Sequence, residues 1–157
     1  MRFLIFIVLL MTTSVATATC NKHQIDKVLD ALHERASTAD YEGYFSLYAP
    51  GATFIGTDAG EIWTVEAFKA YAKPHFDKGK GWTYVPRDRN IYFSPDENVV
   101  WFDELLDNEK LGETRGTGVL IKVGERWKIS QYHLTIPIPN AIASDVANQI
   151  KALKHSH

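Results

Sequence analysis

The stretch GETRGTGVLIKVGERWKISQYHLTIPIPN, residues 112–140, decides the fold. It holds two runs of alternating apolar and polar residues around a short turn with a glycine, which is the pattern of a β-hairpin. The apolar face of the first run also carries Arg115, and that of the second run carries Gln131 and His133. We therefore expect these three polar side chains to face the interior of the sheet.

A three-residue loop at residues 124–126 would let Val123 pair with Trp127, so that both apolar faces lie on one side of the sheet. The same register gives two further pairs, Val119 with Gln131 and Thr117 with His133. Arg115 would lie diagonal to His133. An unpaired buried charge is unfavourable by several kcal/mol, so this polar end of the interior is expected to be a ligand cavity.

The preceding run, VVWFDELLDN at residues 99–108, contains two adjacent carboxylates, Asp103 and Glu104. Strand alternation allows only one of them to face inward, and the turn that follows does not fix the register. We favour Asp103 as the inward residue and keep Glu104 as the alternative. Whichever carboxylate faces inward is the expected partner of Arg115.

Apolar spacing elsewhere predicts three helices in the N-terminal half and one at the C-terminus. The first helix covers Ile25 to Ala36, Asp40 and Thr64 are suitable N-caps for the next two, and the last covers residues 142–153. The predicted strands are residues 52–57, 82–93, 99–106, 113–123 and 127–134. Helices on one face of a curved antiparallel sheet make an α+β fold.

The chain opens with Arg2, an apolar run over residues 3–11 and small residues up to Ala18, which is typical of a secretory signal peptide. We predict a signal peptide at residues 1–18 and a single domain at residues 19–157. The apolar run is shorter than the ~20 residues that a membrane-spanning helix needs, so the mature protein is expected to lack a transmembrane segment. The predicted location is the periplasm or the cell exterior.

Cys20 is the only cysteine, so no internal disulfide can form. Lipid attachment to Cys20 is the less favoured alternative, because Thr19 departs from the usual sequence before a lipidated cysteine. A net charge of −2 with scattered basic residues argues against nucleic acid as a partner. The chain also has no HExxH, paired CxxC, glycine-rich phosphate loop or serine nucleophile motif, so we predict no metal and no cofactor.

The order of elements, together with FIGTDAGEIWTVEAFKAY, VVWFDELLDN, RGTGVLIKVGERWKISQYHL and the PIPN ending, resembles the SnoaL-like branch of the nuclear transport factor 2-like superfamily. The resemblance covers roughly residues 24–140 and is to a secreted bacterial type. It implies a cone-shaped α+β fold with a deep pocket between the curved sheet and the helices. It also implies a homodimer through the outer face of the sheet, where we expect Leu120 and Tyr132 to make contact.

The resemblance implies pocket positions at Trp63, Asp103 or Glu104, Arg115, Gln131 and His133. Asp103 and His133 are the candidate acid and base, since histidine titrates near pH 6.5. Arg115 would hold a ligand oxygen, because guanidinium geometry suits planar anions. The alternatives are structural: an ion pair for Arg115, a hydrogen bond for His133 and a core position for Trp63. Tyr44 is a further candidate on the helical side, with a core position as its alternative.

The superfamily includes ketosteroid isomerases, scytalone dehydratase and polyketide cyclases, besides binding and association modules. Three functions therefore stay open. The first is binding of a small apolar or weakly acidic molecule in the cell envelope or outside the cell. The second is an acid/base isomerase, dehydratase or cyclase acting on a hydrophobic carbonyl compound, and the third is a dimeric interaction module without turnover. We favour binding, because the motifs define a cavity and none defines a reaction.

Overall fold

The computed structural model describes residues 12–154, with side chains over residues 21–153. Its elements are α1 (Thr12–Ser37), α2 (Tyr41–Ser46), β1 (Tyr48–Ile55), β2 (Ile62–Thr64), α3 (Val65–Phe76), β3 (Val85–Phe93), β4 (Val99–Asn108), β5 (Gly112–Val123), β6 (Arg126–Thr135) and α4 (Ala143–Lys154). The short strand β2 was not apparent from the apolar pattern. Most of the predicted signal peptide and the side chain of Cys20 lie outside this description, so both interpretations stay predictions.

The six strands form one sheet in the order β2-β1-β6-β5-β4-β3. Neighbouring strands are antiparallel except β1 and β6, which run parallel. Helices α1, α2 and α3 cover one face of the curved sheet, and a single apolar core lies between the two layers. This is the predicted α+β fold, with one parallel pairing that the hairpin pattern did not reveal.

Both predicted helix caps are present. The side chain of Asp40 accepts a hydrogen bond from the backbone N–H of Gly43 at 3.0 Å, and that of Thr64 accepts one from Ala67 at 3.2 Å. Each bond satisfies a donor that the first turn of a helix leaves free. These caps fix where α2 and α3 begin, and thereby the helical side of the interior.

A β-bulge in β6 decides which side chains face the core. Val119 pairs with Gln131, but the next residue, Leu120, pairs with Ile129, which leaves Ser130 as the extra residue. A bulge of one residue reverses the alternation along its strand. Side chains that the simple two-residue period assigns to the interior therefore face outward beyond Ser130.

The turn between β5 and β6 is also tighter than predicted. Val123 pairs with Arg126 rather than with Trp127, and only Gly124 and Glu125 lie between the strands. The turn and the bulge each shift the register by one residue, so their effects on pairing cancel. The predicted pairs beyond the bulge are therefore correct, although they lie on the outer face.

Two glycines on the inner face of β5 leave room for the side chains of its neighbours. A Cβ on Gly118 would come within 2.7 Å of the ring of Phe102 and would also meet a backbone oxygen of β6. A Cβ on Gly116 would collide with the hydroxyl of Tyr132 and lie 3.2 Å from a carboxylate oxygen of Glu104. Glycine in a strand often marks such a close approach. The two polar groups next to Gly116 belong to the site described below.

The predicted C-terminal helix is present as α4, and the side chains of Ile150 and Leu153 on it are 46% and 66% exposed. Over the part of the chain that the structure describes, we find no helix with the length and apolar character that a membrane crossing requires.

Candidate functional site

A cavity of about 210 Å³ lies between the first three helices and the inner face of the sheet. Eight of the fifteen residues that line it are Phe, Trp or Tyr. The aromatic wall comes from β1, β2, α3 and the segment before β3, and includes Phe54, Trp63, Phe68, Tyr71, Trp82 and Tyr84. Such an apolar lining with a few polar groups is typical of a small-molecule site.

Contacts between the rings hold this wall in place. The ring of Trp63 stacks against Tyr71 and Phe68 with centroid distances of 5.0 and 5.7 Å. Phe68 stacks in turn on Phe54 at 3.8 Å, and Trp82 meets the ring of Tyr44 edge-on at 5.9 Å. Tyr71 is half exposed, which places the open side of the cavity near the end of this stack.

One polar part of the site is built on a buried carboxylate, that of Glu104 on β4, whose exposure is 0%. Its Oε1 lies 2.7 Å from Nε2 of His33, and the hydroxyl of Tyr132 donates to the same oxygen at 3.4 Å. His33 and Tyr132 both line the cavity. A ligand would therefore meet the imidazole and the phenol, with the carboxylate directly behind them.

The second oxygen of Glu104 accepts a hydrogen bond from Nε of Arg89 at 2.7 Å. Nη1 of Arg89 forms ion pairs with two carboxylates on α1, those of Asp30 at 2.8 Å and Asp26 at 3.2 Å. This network ties α1 to β3 and β4 behind the cavity. It also balances the buried charge of Glu104, which would otherwise be strongly unfavourable.

Burial, and then the charge of Glu104, hold the pKa of Tyr132 well above its ordinary value. Burial likewise raises the pKa of Tyr44. Both phenols are therefore protonated at neutral pH and can donate hydrogen bonds. For Arg89, burial alone would lower the pKa, but the nearby carboxylates, chiefly Glu104, raise it overall, so the guanidinium stays charged.

Two of the residues predicted for the site, Trp63 and Tyr44, line the cavity. Of the adjacent carboxylates, Glu104 faces inward, so the preference for Asp103 is wrong. Asp103 lies on the outer face, where it accepts hydrogen bonds from the side chains of Asn90 and Tyr92. Its partners are thus neighbours on β3, because alternation places the two carboxylates on opposite faces.

The prediction that Arg115, Gln131 and His133 face the interior is also wrong. Arg115 is exposed, Gln131 and His133 are partly exposed, and none of them lines the cavity. The bulge explains the last two, and Arg115 shares their outer face across the β5–β6 pairing. Because the faces of β5 and of this part of β6 are the reverse of those predicted, Leu120 and Tyr132, expected on the outer face, are buried with exposures of 0% and 4%.

Sequence reasoning missed His33 and Arg89. His33 follows Leu29 by four residues on α1, so the helical period places an imidazole on the apolar stripe. That spacing was a usable signal. No sequence signal indicated Arg89, because β3 is irregular between Arg87 and Asn90, and Asp88 has a φ of 49° there.

Over the described residues, no group of three or more His, Cys, Asp or Glu side chains could hold a metal ion. The carboxylates of the network are already paired with the guanidinium of Arg89. The chemistry that these residues can supply is hydrogen bonding and proton transfer.

Solved structures share the fold at low sequence identity. An NTF2-like protein of unknown function from Pseudomonas putida has a TM-score of 0.66 and 12% identity, covering 78% of this chain and 90% of that chain. A protein of unknown function from Mycobacterium tuberculosis has a TM-score of 0.67 and 16% identity, covering 83% and 79%. A provisionally named scytalone dehydratase from Novosphingobium aromaticivorans has a TM-score of 0.65 and 12% identity, covering 79% and 89%.

No curated protein matches the chain. The family model described as a SnoaL-like domain matches residues 25–139, which is most of the chain and includes the C-terminal half of α1, the sheet and the cavity. The chain therefore belongs to the SnoaL-like domain family, and it has the fold of the nuclear transport factor 2-like superfamily.

Proposed function

We propose that the protein binds a small, mainly apolar molecule in the aromatic cavity. The observation that carries this proposal is the cavity itself, with its wall of aromatic rings and one polar end at His33 and Tyr132. A cavity of ~150 Å³ accommodates benzene, so a space of about 210 Å³ suits a single ring with a short chain, or two fused rings. A four-ring skeleton is too large for it.

Two finer features of the ligand and its setting follow from the sequence. We propose that binding takes place in the cell envelope or outside the cell, on the strength of the signal-like segment at residues 1–18. A weakly acidic ligand was expected because of Arg115. Since Arg115 lies on the outer face, that expectation loses its basis, and the polar side chains in the lining of the cavity include His33, Tyr132 and Glu61 instead.

Calorimetric titration with 3-phenyl-1-propanol tests the proposal. We expect saturable binding, which an Ala36→Phe variant weakens by about tenfold or more. Ala36 is buried and lines the cavity, so the phenyl group would occupy the ligand's space. Tenfold corresponds to 1.4 kcal/mol, roughly two buried methylene groups of ligand. Ala70→Phe, on the exposed side of α3, is the matched control. Unchanged affinity in a folded Ala36→Phe protein would contradict binding in this cavity.

A second proposed function is acid/base catalysis on a small hydrophobic carbonyl compound. The contact between His33 and Glu104 favours it, because a buried carboxylate can hold an imidazole in one tautomer and orientation for proton transfer. The likeness to a provisionally named scytalone dehydratase is compatible with this function but shows the fold alone. Its test is argued in the Discussion.

We also propose that the protein forms a homodimer through the outer face of the sheet. The rings of Tyr92 and Trp101 stack there at 5.9 Å and are 43% and 46% exposed. Adjacent exposed aromatics often mark an interface. The third predicted function, an interaction module without turnover, would rest on this surface.

In sedimentation velocity at ~50 μM we expect a dimer that Trp101→Arg converts to a monomer, because burying an unpaired charge is strongly unfavourable. Ala70→Arg, on the exposed side of α3 and away from the outer face of the sheet, should leave the dimer intact. A monomeric wild-type protein, or equal effects of the two substitutions, would show that this surface is not a dimer interface.

A further inference from the structure

The formal charges at the cavity are mainly negative. Among the described residues that line it, Glu61 is the one carboxylate, and there is no lysine or arginine. Behind the wall, the single guanidinium of Arg89 faces Glu104, Asp26 and Asp30. Lys22 also pairs with Asp26, at 3.5 Å, so two positive and three negative groups leave a net charge of about −1 if His33 is neutral, and about 0 if it is protonated. The negative potential expected inside the cavity therefore comes mainly from Glu61, the carboxylate in the lining itself.

Glu61 lies in the loop between β1 and β2, and its position is fixed by the loop. Its backbone oxygen accepts from the N–H of Gly56 at 2.8 Å, and its Oε2 accepts from the N–H of Asp58 at 3.3 Å. A Cβ on Gly56 would collide with this carboxylate. Glycine at that position therefore lets the carboxylate lie directly against the cavity wall.

The charge of Glu61 also acts on another part of the wall. Burial, and then the negative charge of Glu61, raise the pKa of Tyr84, whose ring lines the cavity. Tyr84 belongs to the segment before β3, so the field of Glu61 extends beyond its own loop. A cationic group near both residues would be stabilised by this field.

The aromatic wall also favours a positively charged ligand. The faces of indole and phenol rings carry negative charge density and attract ammonium groups that come within ~6 Å. Trp63, Tyr71, Trp82 and Tyr84 all line the cavity. A carboxylate together with aromatic rings and no competing basic side chain is a chemical environment suited to an organic cation.

We infer that the cavity selects a small organic cation, such as an arylalkyl amine, with the ammonium group at Glu61 and the apolar part against the aromatic wall. This inference rests on the proposed binding function and specifies the charge of the ligand. A carboxylate of the same shape would be repelled by Glu61 and would find no basic side chain in the lining.

Three probes of nearly equal shape test the inference by calorimetry at pH 7: 3-phenylpropylamine, 3-phenyl-1-propanol and 3-phenylpropanoate. We expect the amine to bind about tenfold tighter than the alcohol, and the carboxylate to bind weakest. Glu61→Gln should weaken amine binding about three- to tenfold and leave the alcohol unchanged. Amine binding to the wild type should also weaken between 50 and 300 mM NaCl, since the Debye length shortens.

Glu125→Gln is the matched control, because this exposed glutamate in the β5–β6 turn lies outside the lining of the cavity. It removes the same charge and should leave all three affinities unchanged. Thermal unfolding of both variants shows whether each is folded before titration.

The possible outcomes separate this inference from the function on which it rests. If the alcohol binds and the amine binds no tighter, or if amine affinity survives Glu61→Gln, the cation inference is overturned and the binding function stands. Tightest binding of the carboxylate likewise overturns it and restores a weakly acidic ligand. If none of the three probes binds the folded protein, the proposed binding function fails and the inference fails with it.

Discussion

Replacing Glu104 by alanine is expected to lower the free energy of unfolding by about 3–5 kcal/mol. Glu104 is fully buried, and its two oxygens take hydrogen bonds from Arg89 and contact His33. Removing the carboxylate leaves a largely buried guanidinium without its main partner and opens a small cavity in the core. Urea unfolding followed by circular dichroism measures the change.

The adjacent residue provides a matched control. Asp103→Ala removes a carboxylate from the same strand, but the carboxylate of Asp103 lies on the outer face with only Asn90 and Tyr92 as hydrogen-bond partners. We expect a loss of about 1 kcal/mol or less, as for other solvent-screened contacts. Glu104→Gln should fall between the two, because an amide oxygen can still accept from Arg89. A cost for Asp103→Ala equal to that for Glu104→Ala would contradict the assignment of Glu104 as the inward carboxylate.

The contrast between these neighbours shows where strand alternation stops being informative. The sequence around residues 103 and 104 alternates equally well in either phase, because both faces of VVWFDELLDN contain large apolar residues. Trp101 and Leu105 are on one face and Phe102 and Leu106 on the other. The partners of Glu104 are His33 on α1, Arg89 on β3 and Tyr132 on β6, and a local period contains no information about these contacts.

The hairpin shows a different limit. Its pairing beyond the bulge was predictable, since Val119 does oppose Gln131 and Thr117 does oppose His133. The outward face of Gln131 and His133 was not predictable, because Ser130 inserts one residue and reverses the alternation along β6. A small polar residue between Ile129 and Gln131 has no sequence mark that distinguishes a bulge from an ordinary outward position.

The helices and the family were predictable because their signals are local or extend over the whole chain. Asp40 and Thr64 cap helices through bonds that span three residues, so the chain around them suffices. The resemblance to SnoaL-like domains rests on the order of elements over more than a hundred residues, which a single bulge does not disturb. The site combines α1 with β3 and β4, and these long-range contacts had to come from the structure.

The role of His33 links stability to the second proposed function. When Nε2–H of the imidazole donates to Glu104, the lone pair is on Nδ1, and that nitrogen can accept a proton. Glu104 has no exposed surface, so it can stabilise the imidazolium but cannot reach a ligand itself. His33 is therefore the proposed base, and Glu104 is a positioning residue.

The second proposed function predicts that the protein catalyses hydrogen–deuterium exchange at the carbon next to the carbonyl of 1-indanone, which fits the cavity by size. His33 would take the proton from carbon to give an enolate and an imidazolium, and would return deuterium after exchange with D₂O. The protonated phenol of Tyr132, which also lines the cavity, is the candidate donor to the enolate oxygen, and its O–H would turn from Glu104 to the ligand to make this bond. Proton NMR in D₂O follows the loss of the α-proton signal.

His33→Gln should slow the catalysed exchange by about 10²–10⁴-fold, the usual contribution of a general base. His23→Gln, an exposed change on the same helix, should leave the rate unchanged. The glutamine at position 33 can still hydrogen-bond to Glu104, so the comparison separates proton transfer from support of the fold. A folded His33→Gln protein that exchanges 1-indanone at the wild-type rate would exclude His33 as the base. If the wild type binds 1-indanone but does not exceed the background rate, the contact with Glu104 serves binding and stability alone.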